Sequence, residues 1–175
     1  MFAVENKDGG HDTPKYTVAR LRDVCDTLMT LGSGQSALAA NQIGIDWDLY
    51  IAIREVKNDD KISLEFFEFF NPEIIEYSEE KHQEWEMCFS LPGKVYLVER
   101  SDKVTLKYQS VYGGWKVEEL SGMDAVVAQH EVDHLNGVLA SDKALESMST
   151  KKYYEYIASQ EKEEVNEENS SDRTD

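Results

Sequence analysis

The chain predicts an α+β domain in which antiparallel strands pack around one central helix. Three observations carry this. A helical apolar period opens the readable part of the sequence. A run of short alternating segments, punctuated by turn residues, fills the middle. An apolar helical stretch with two histidines follows it. With 175 residues the chain suits a single domain large enough to bury a core.

Asp12-Thr13-Pro14 marks a helix start, with proline tolerated in the first turn. Val18, Leu21, Val24, Cys25 and Leu28 recur at helical spacing, and Gly32 ends the pattern. The stretch from Gly32 to Gly44 has neither period and reads as an irregular loop. Strands are expected at Trp47 to Ile53 and at Phe66 to Phe70, the second stopped by Asn71-Pro72, with Asn58-Asp59-Asp60 as the turn between them. Further strands are expected at Lys94 to Glu99, Val104 to Tyr108 and Gly114 to Val117, with Tyr112-Gly113-Gly114 as a turn. The central helix begins near Ser121, which with Asp124 resembles a capping box, and stops at Gly137. A last helix is expected from about Lys143 to Gln160. Residues 1–160 then form the folded domain and 161–175 an acidic, disordered tail.

The composition excludes several functions. There are 35 acidic against 18 basic side chains, a net charge of −17. Such a surface repels phosphate backbones and anionic lipid, which argues against nucleic-acid or membrane-surface binding. The tail Glu161–Asp175 holds seven acids and two bases, so it carries −5 of the total. Two cysteines, Cys25 and Cys88, form no disulfide framework and suit a reducing, cytoplasm-like compartment. Neither a signal core nor a membrane-spanning run is evident in the sequence.

The chemistry concentrates in Gln129-His130-Glu131-Val132-Asp133-His134. Histidines four apart on a helix project from one face, one turn above the other, and can share one metal ion. Glu131 lies one residue along, able to reach an activated water without becoming a ligand, as a general base must. A lone histidine would more often be a packing residue; two of the chain's four in this spacing favour a metal. A catalytic site needs a third protein ligand and an open position. Cys88, in Glu86-Met87-Cys88-Phe89-Ser90, is the best candidate, although an isolated cysteine is commonly a small buried hydrophobe. His11 and His82 are weaker candidates in polar, loop-like sequence.

Three blocks in this order resemble the peptide deformylase family. Leu38-Ala39-Ala40-Asn41-Gln42-Ile43-Gly44 matches the family's Leu-Ala-Ala-x-Gln-x-Gly, Glu86-Met87-Cys88-Phe89-Ser90 its Glu-Gly-Cys-Leu-Ser, and Gln129 to His134 its Gln-His-Glu-x-Asp-His. Asn71-Pro72-Glu73-Ile74 and Val98-Glu99-Arg100 are also similar, and the likeness covers roughly Leu21 to Leu139. Departures lie at Gln35 and Ala37, which replace glycines, and at Met87 and Phe89 beside the ligand; they bear on the substrate groove. The stretch after Asp142 lacks the basic terminal helix of many bacterial members.

The resemblance implies hydrolysis of the N-formyl group of formyl-methionine on nascent peptides near the ribosome. It implies Cys88, His130 and His134 as metal ligands, and Glu131 as general base. The side-chain amide of Gln42 and the backbone N–H of Phe89 would stabilise the oxyanion. The ion implied is Fe²⁺, with Zn²⁺, Ni²⁺ or Co²⁺ able to substitute. Val126 and Val127, a helical turn before His130, can line a methionine pocket with Leu38, Phe89 and Leu91, and the backbone at Ala37 and Leu38 can pair with an extended substrate. Arg100 could meet a carboxylate or a backbone carbonyl, with a solvated charge as the default. A monomer is expected. The competing readings are a metallopeptidase cutting internal bonds, a deformylase-like binding module without catalysis, and a purely structural metal site.

Overall fold

The computed structural model describes residues 14–30, 36–58 and 61–171. Helix α1 (Pro14–Thr30) leads to a short strand β1 (Ala37–Ala39) and a 3₁₀ turn (Ala40–Ile43). Six strands follow: β2 (Leu49–Asn58), β3 (Lys61–Tyr77), β4 (Lys81–Met87), β5 (Lys94–Ser101), β6 (Lys103–Gln109) and β7 (Trp115–Ser121). Helix α2 (Met123–Leu135), a single turn α3 (Ala140–Lys143), strand β8 (Ala144–Ser149) and helix α4 (Thr150–Ser171) complete the chain. One sheet has the order β1-β2-β3-β6-β7 and the other β4-β5-β8, with every pairing antiparallel. The α+β expectation holds, with α2 at the centre.

Strand alternation explains why α2 is central. Tyr50, Ala52, Phe69, Leu106 and Leu120 point to one face of the larger sheet, where they pack on Ala125, Ala128 and Val132 of α2. Leu49, Ile51 and Phe70 point to the other face and receive Val18 and Leu21 of α1. A smaller cluster of Tyr96, Val98 and Ala140 holds α3 on the second sheet. Gln129 docks α2 onto β5: its amide donates to Ser101 O at 3.0 Å and accepts from Ser101 N at 3.1 Å. The C-terminus of α2 is a Schellman motif, with Val138 N–H bonding Asp133 O at 2.9 Å and Gly137 N–H bonding His134 O at 3.0 Å. Gly137 takes φ 74°, which only glycine adopts freely, so the glycine stop expected there is present.

Several expectations are corrected. Part of the Gly32 to Gly44 stretch is ordered, because Ala37–Ala39 pair with Ala52–Tyr50 and bury their small side chains; Gly32, Gly34 and Gln35 lie outside the described residues. Asn71-Pro72 does not stop β3. The strand passes through register shifts, with Asn71 at φ 47° and its amide bonded to Gln109 at 2.6 Å. No capping box starts α2: its cap is Gly122, and Asp124 turns instead to Arg54. Strand β4 was not expected, since its polar alternation lacks apolar signal. Residues Ala144–Ser149 are strand β8 and not the first turns of the last helix, because pairing with Lys94–Val98 overrides the helical preference of Ala, Leu, Glu and Met. Helix α4 runs to Ser171, beyond the expected end at Gln160 and into the tail expected to be disordered. The turn residues Asp59 and Asp60, and Asp12 and Thr13 before α1, lie outside the described residues. No helix among the described residues is long and apolar enough to cross a membrane.

Candidate metal centre and active site

Helix α2 is buried along the face that carries its polar residues. His130, Glu131 and His134 are 7%, 1% and 4% exposed, which water-seeking side chains tolerate only with strong partners. The Nε2 atoms of the two histidines lie 3.1 Å apart, and Cys88 Sγ lies 3.1 Å from that of His134. Cys88, His130 and His134 thus offer three donors within 4.8 Å of one another, the grouping the sequence suggested. Cys88 reaches this point because β4 ends at Met87, and a turn closed by Leu91 N–H to Cys88 O at 3.0 Å follows. Of the weaker ligand candidates, His82 is bound to Asp102 at 2.6 Å and His11 lies outside the described residues. The side chain of Cys25 is also outside them.

The donor set fits a divalent ion. Three buried donors converge, and beside them Glu131 Oε2 is buried with no hydrogen-bond partner. An unsatisfied buried carboxylate oxygen is costly, and a substrate water at this point would satisfy it. Burial raises the Glu131 carboxyl to about 7 against the lowering pull of His130 and His134, which suits proton transfer near neutrality. Burial also raises the Cys88 thiol, but the two imidazoles outweigh it and hold the group at about 6, so the thiolate is the favoured form. A cation at this point would favour the thiolate further.

A chain of charge fixes the first imidazole. His130 Nδ1 donates to the Glu86 carboxylate Oε2 at 2.7 Å, which fixes the ring with Nε2 turned toward His134. Glu86 is held by Arg100 through bonds of 2.6 and 2.9 Å, and Arg100 reaches Asp133 at 2.7 Å. Lys143 closes the chain on Asp133 at 2.7 Å. Burial pushes the Glu86 carboxyl up, yet Arg100 and His130 hold it down at about 2. Arg100 is therefore not a solvated charge: its side chain is 2% exposed. Its burial was hidden because its partners lie 14 and 33 positions away.

Gln42 reaches the same cluster from the 3₁₀ turn. Ala39 N–H donates to its carbonyl oxygen at 2.9 Å, turning its amide nitrogen to within 3.2 Å of both Ser90 Oγ and His134 Nε2. Asn41 binds His134 O from the same 3₁₀ turn. Phe89 follows Cys88 in the turn, and its side chain is 39% exposed.

A cavity of about 240 Å³ opens beside His130 and Glu131. Val126 and Val127 line it, as the sequence suggested, together with Ala37, whose expected part was backbone pairing. Leu38, Phe89 and Leu91 do not. Leu38 is fully buried with Leu21 and Ile51, and Leu91 packs on the Tyr96 cluster, because neighbouring strand and turn positions point away from the cavity. Sequence reasoning missed Trp85 and Tyr153, which also line it. The alternation of β4 around Glu86 could have flagged Trp85; nothing local flags Tyr153.

These features agree with comparisons to known proteins. The polypeptide deformylase family model matches residues 8–151. A peptide deformylase of Thermotoga neapolitana is 42% identical over 106 residues, 61% of this chain and 60% of that protein, so the match spans about three fifths of that relative's length. One from Campylobacter jejuni is 36% identical over 132 residues, 75% of this chain and 73% of that protein. Among solved structures, a class I type b peptide deformylase from Acinetobacter baumannii with Met-Ala-Ser bound superimposes with TM-score 0.60 at 31% identity, covering 72% of this chain and 80% of that one. On the matched motifs, the shared fold and the thiol-and-two-imidazole cluster, this chain belongs to the polypeptide deformylase family.

Proposed function

We propose that the chain hydrolyses the N-formyl group of formyl-methionine peptides, releasing formate and a free amino terminus. The single observation that carries this is Glu131, buried and with an unpartnered oxygen, beside Cys88, His130 and His134. A divalent ion held by those three residues would supply Lewis acidity, lowering the pKa of water toward neutrality. Glu131 accepts the proton of the attacking water and delivers it to the amine nitrogen as the carbon–nitrogen bond breaks. The Gln42 amide, already aimed at this point, donates to the developing oxyanion. By family likeness the Phe89 backbone N–H is the second donor. Val126 and Val127 receive the methionine side chain, and an extended peptide lies along β1 at the sheet edge, by Ala37 and Leu38.

The finer assignments follow from the same site. A thiolate with two imidazoles suits Fe²⁺, with Zn²⁺, Ni²⁺ or Co²⁺ able to occupy it. The thiolate requires a reducing, cytoplasm-like compartment, and the substrates are nascent chains near the ribosome. The chain acts as a monomer, and its −17 charge keeps it from binding nucleic acid on its own account. The test is formate release from a formyl-methionine peptide under anaerobic conditions, with elemental analysis of the bound ion. Cleavage of blocked internal peptides with no formate release would replace this reading by that of a metallopeptidase. Metal binding without either reaction would leave a binding module.

A further inference from the structure

The cavity beside the metal ligands is walled by several elements. Helix α2 supplies Val126 and Val127, β1 supplies Ala37, and the lining also includes Trp85 of β4 and Tyr153 of α4. The Trp85 and Tyr153 rings lie 6.0 Å apart at 51°. Tyr153 lies two residues past the segment 8–151 matched by the family model.

The position of Tyr153 is determined by structure on both sides of it. Strand β8 pairs with β5, Ser149 opposite Lys94. Thr150 N–H then bonds Gly93 O at 3.1 Å, tying the start of α4 to the loop that leaves Cys88. The Ser149 hydroxyl accepts from Lys152 N–H at 3.3 Å, capping the helix. One turn in, Tyr153 is half-buried against Trp85, while Tyr154 and Tyr156 on other faces of the helix are 51% and 44% exposed. Aromatic rings suit a flexible thioether, which gains a sulfur–aromatic contact; a rigid ring entering the cavity would need the same space.

We propose that Tyr153 is a specificity-determining residue, which with Trp85 closes the side-chain cavity so that it admits methionine and excludes bulkier aromatic side chains. This rests on the deformylase reading. The test compares wild type with Tyr153→Phe, Tyr153→Leu and Tyr153→Ala on formyl-Met-Ala-Ser and formyl-Phe-Ala-Ser, with kcat and KM measured separately. Binding of the products Met-Ala-Ser and Phe-Ala-Ser is followed by tryptophan fluorescence, and Trp85→Phe identifies the responding ring.

In Tyr153→Ala, KM for the methionine substrate should rise roughly three- to tenfold, the loss of one ring contact, with kcat within about twofold. The phenylalanine-to-methionine ratio of kcat/KM should rise about fivefold or more, while Tyr153→Phe keeps the wild-type ratio. Tyr153→Leu, which fills the space without a ring, should also weaken Met-Ala-Ser binding if the alanine variant does not fold. Wild-type selectivity and peptide affinity in both the leucine and alanine variants would overturn the proposal. A wild type that releases no formate, but binds Met-Ala-Ser in a Tyr153-dependent way, would refute the activity and support the wall.

Discussion

Replacing Arg100 by methionine keeps the side-chain stem and removes the guanidinium. In the folded protein that group sits 2% exposed between Glu86, itself 4% exposed, and Asp133. Without it the Glu86 carboxylate keeps only His130 Nδ1, at 2.7 Å. Removing one partner of a buried pair typically costs about 3–5 kcal/mol, since the remaining charge is stranded. The holding of Glu86 at about 2, against an ordinary 4.5, corresponds independently to a contribution on the order of 3 kcal/mol. The expected loss is therefore about 3 kcal/mol of unfolding free energy, read by urea denaturation. His130 also loses part of what orients it, so metal affinity should fall roughly 10–100-fold in a competition titration with a chromogenic chelator. A variant within about 1 kcal/mol of wild type, with undiminished metal affinity, would refute the idea that this chain of charge supports the site.

Glu131→Gln should keep its metal by elemental analysis and lose about 10²–10⁴ in turnover; undiminished turnover would remove Glu131 from the base role. Gln42→Leu should lower kcat by about 10²–10³ with a smaller change in KM, and an effect on KM alone would place Gln42 outside oxyanion stabilisation. The Tyr108 phenol is raised to about 12 by burial and by Glu118, to which it donates at 3.0 Å. Its folded pKa exceeds the unfolded value of 10, so its contribution is complete below pH 10 and is lost as pH rises through about 12. Tyr108→Phe should flatten that part of the alkaline stability curve, and an equally steep fall would assign it to other groups. Truncation after Gln160 should leave activity within about twofold, since Tyr153 remains; a tenfold loss would show that the rest of α4 supports the site.

The part of the site that was legible in the sequence is the part whose geometry is local. His130 and His134 share a face because a helix turns every 3.6 residues, and Glu131 follows from the same turn. Cys88 was singled out by residue type alone and Gln42 by the resemblance, because no period links residues that distant. A carboxylate partner was open to Arg100, but its sequence neighbours are ordinary and only folding brings Glu86 and Asp133 around it. Strands β4 and β8 escaped for a related reason. Lys81–Met87 is almost wholly polar, and Ala144–Ser149 prefers helix; each is a strand because β5 offers it a partner. Tyr153 was illegible because the error over β8 also displaced the start of α4.

Sulfur at the end of β4 and nitrogens on α2 belong to separately packed layers, one in the small sheet and one against the large. An ion gripped by both acts as a rivet across that seam, and its binding energy becomes folding energy, about 4 kcal/mol where its concentration is a thousandfold above Kd. Oxidative damage to the thiol would therefore do more than stop turnover: it would withdraw that energy from the seam and leave the Gln129 and Arg100 bonds to hold the smaller sheet.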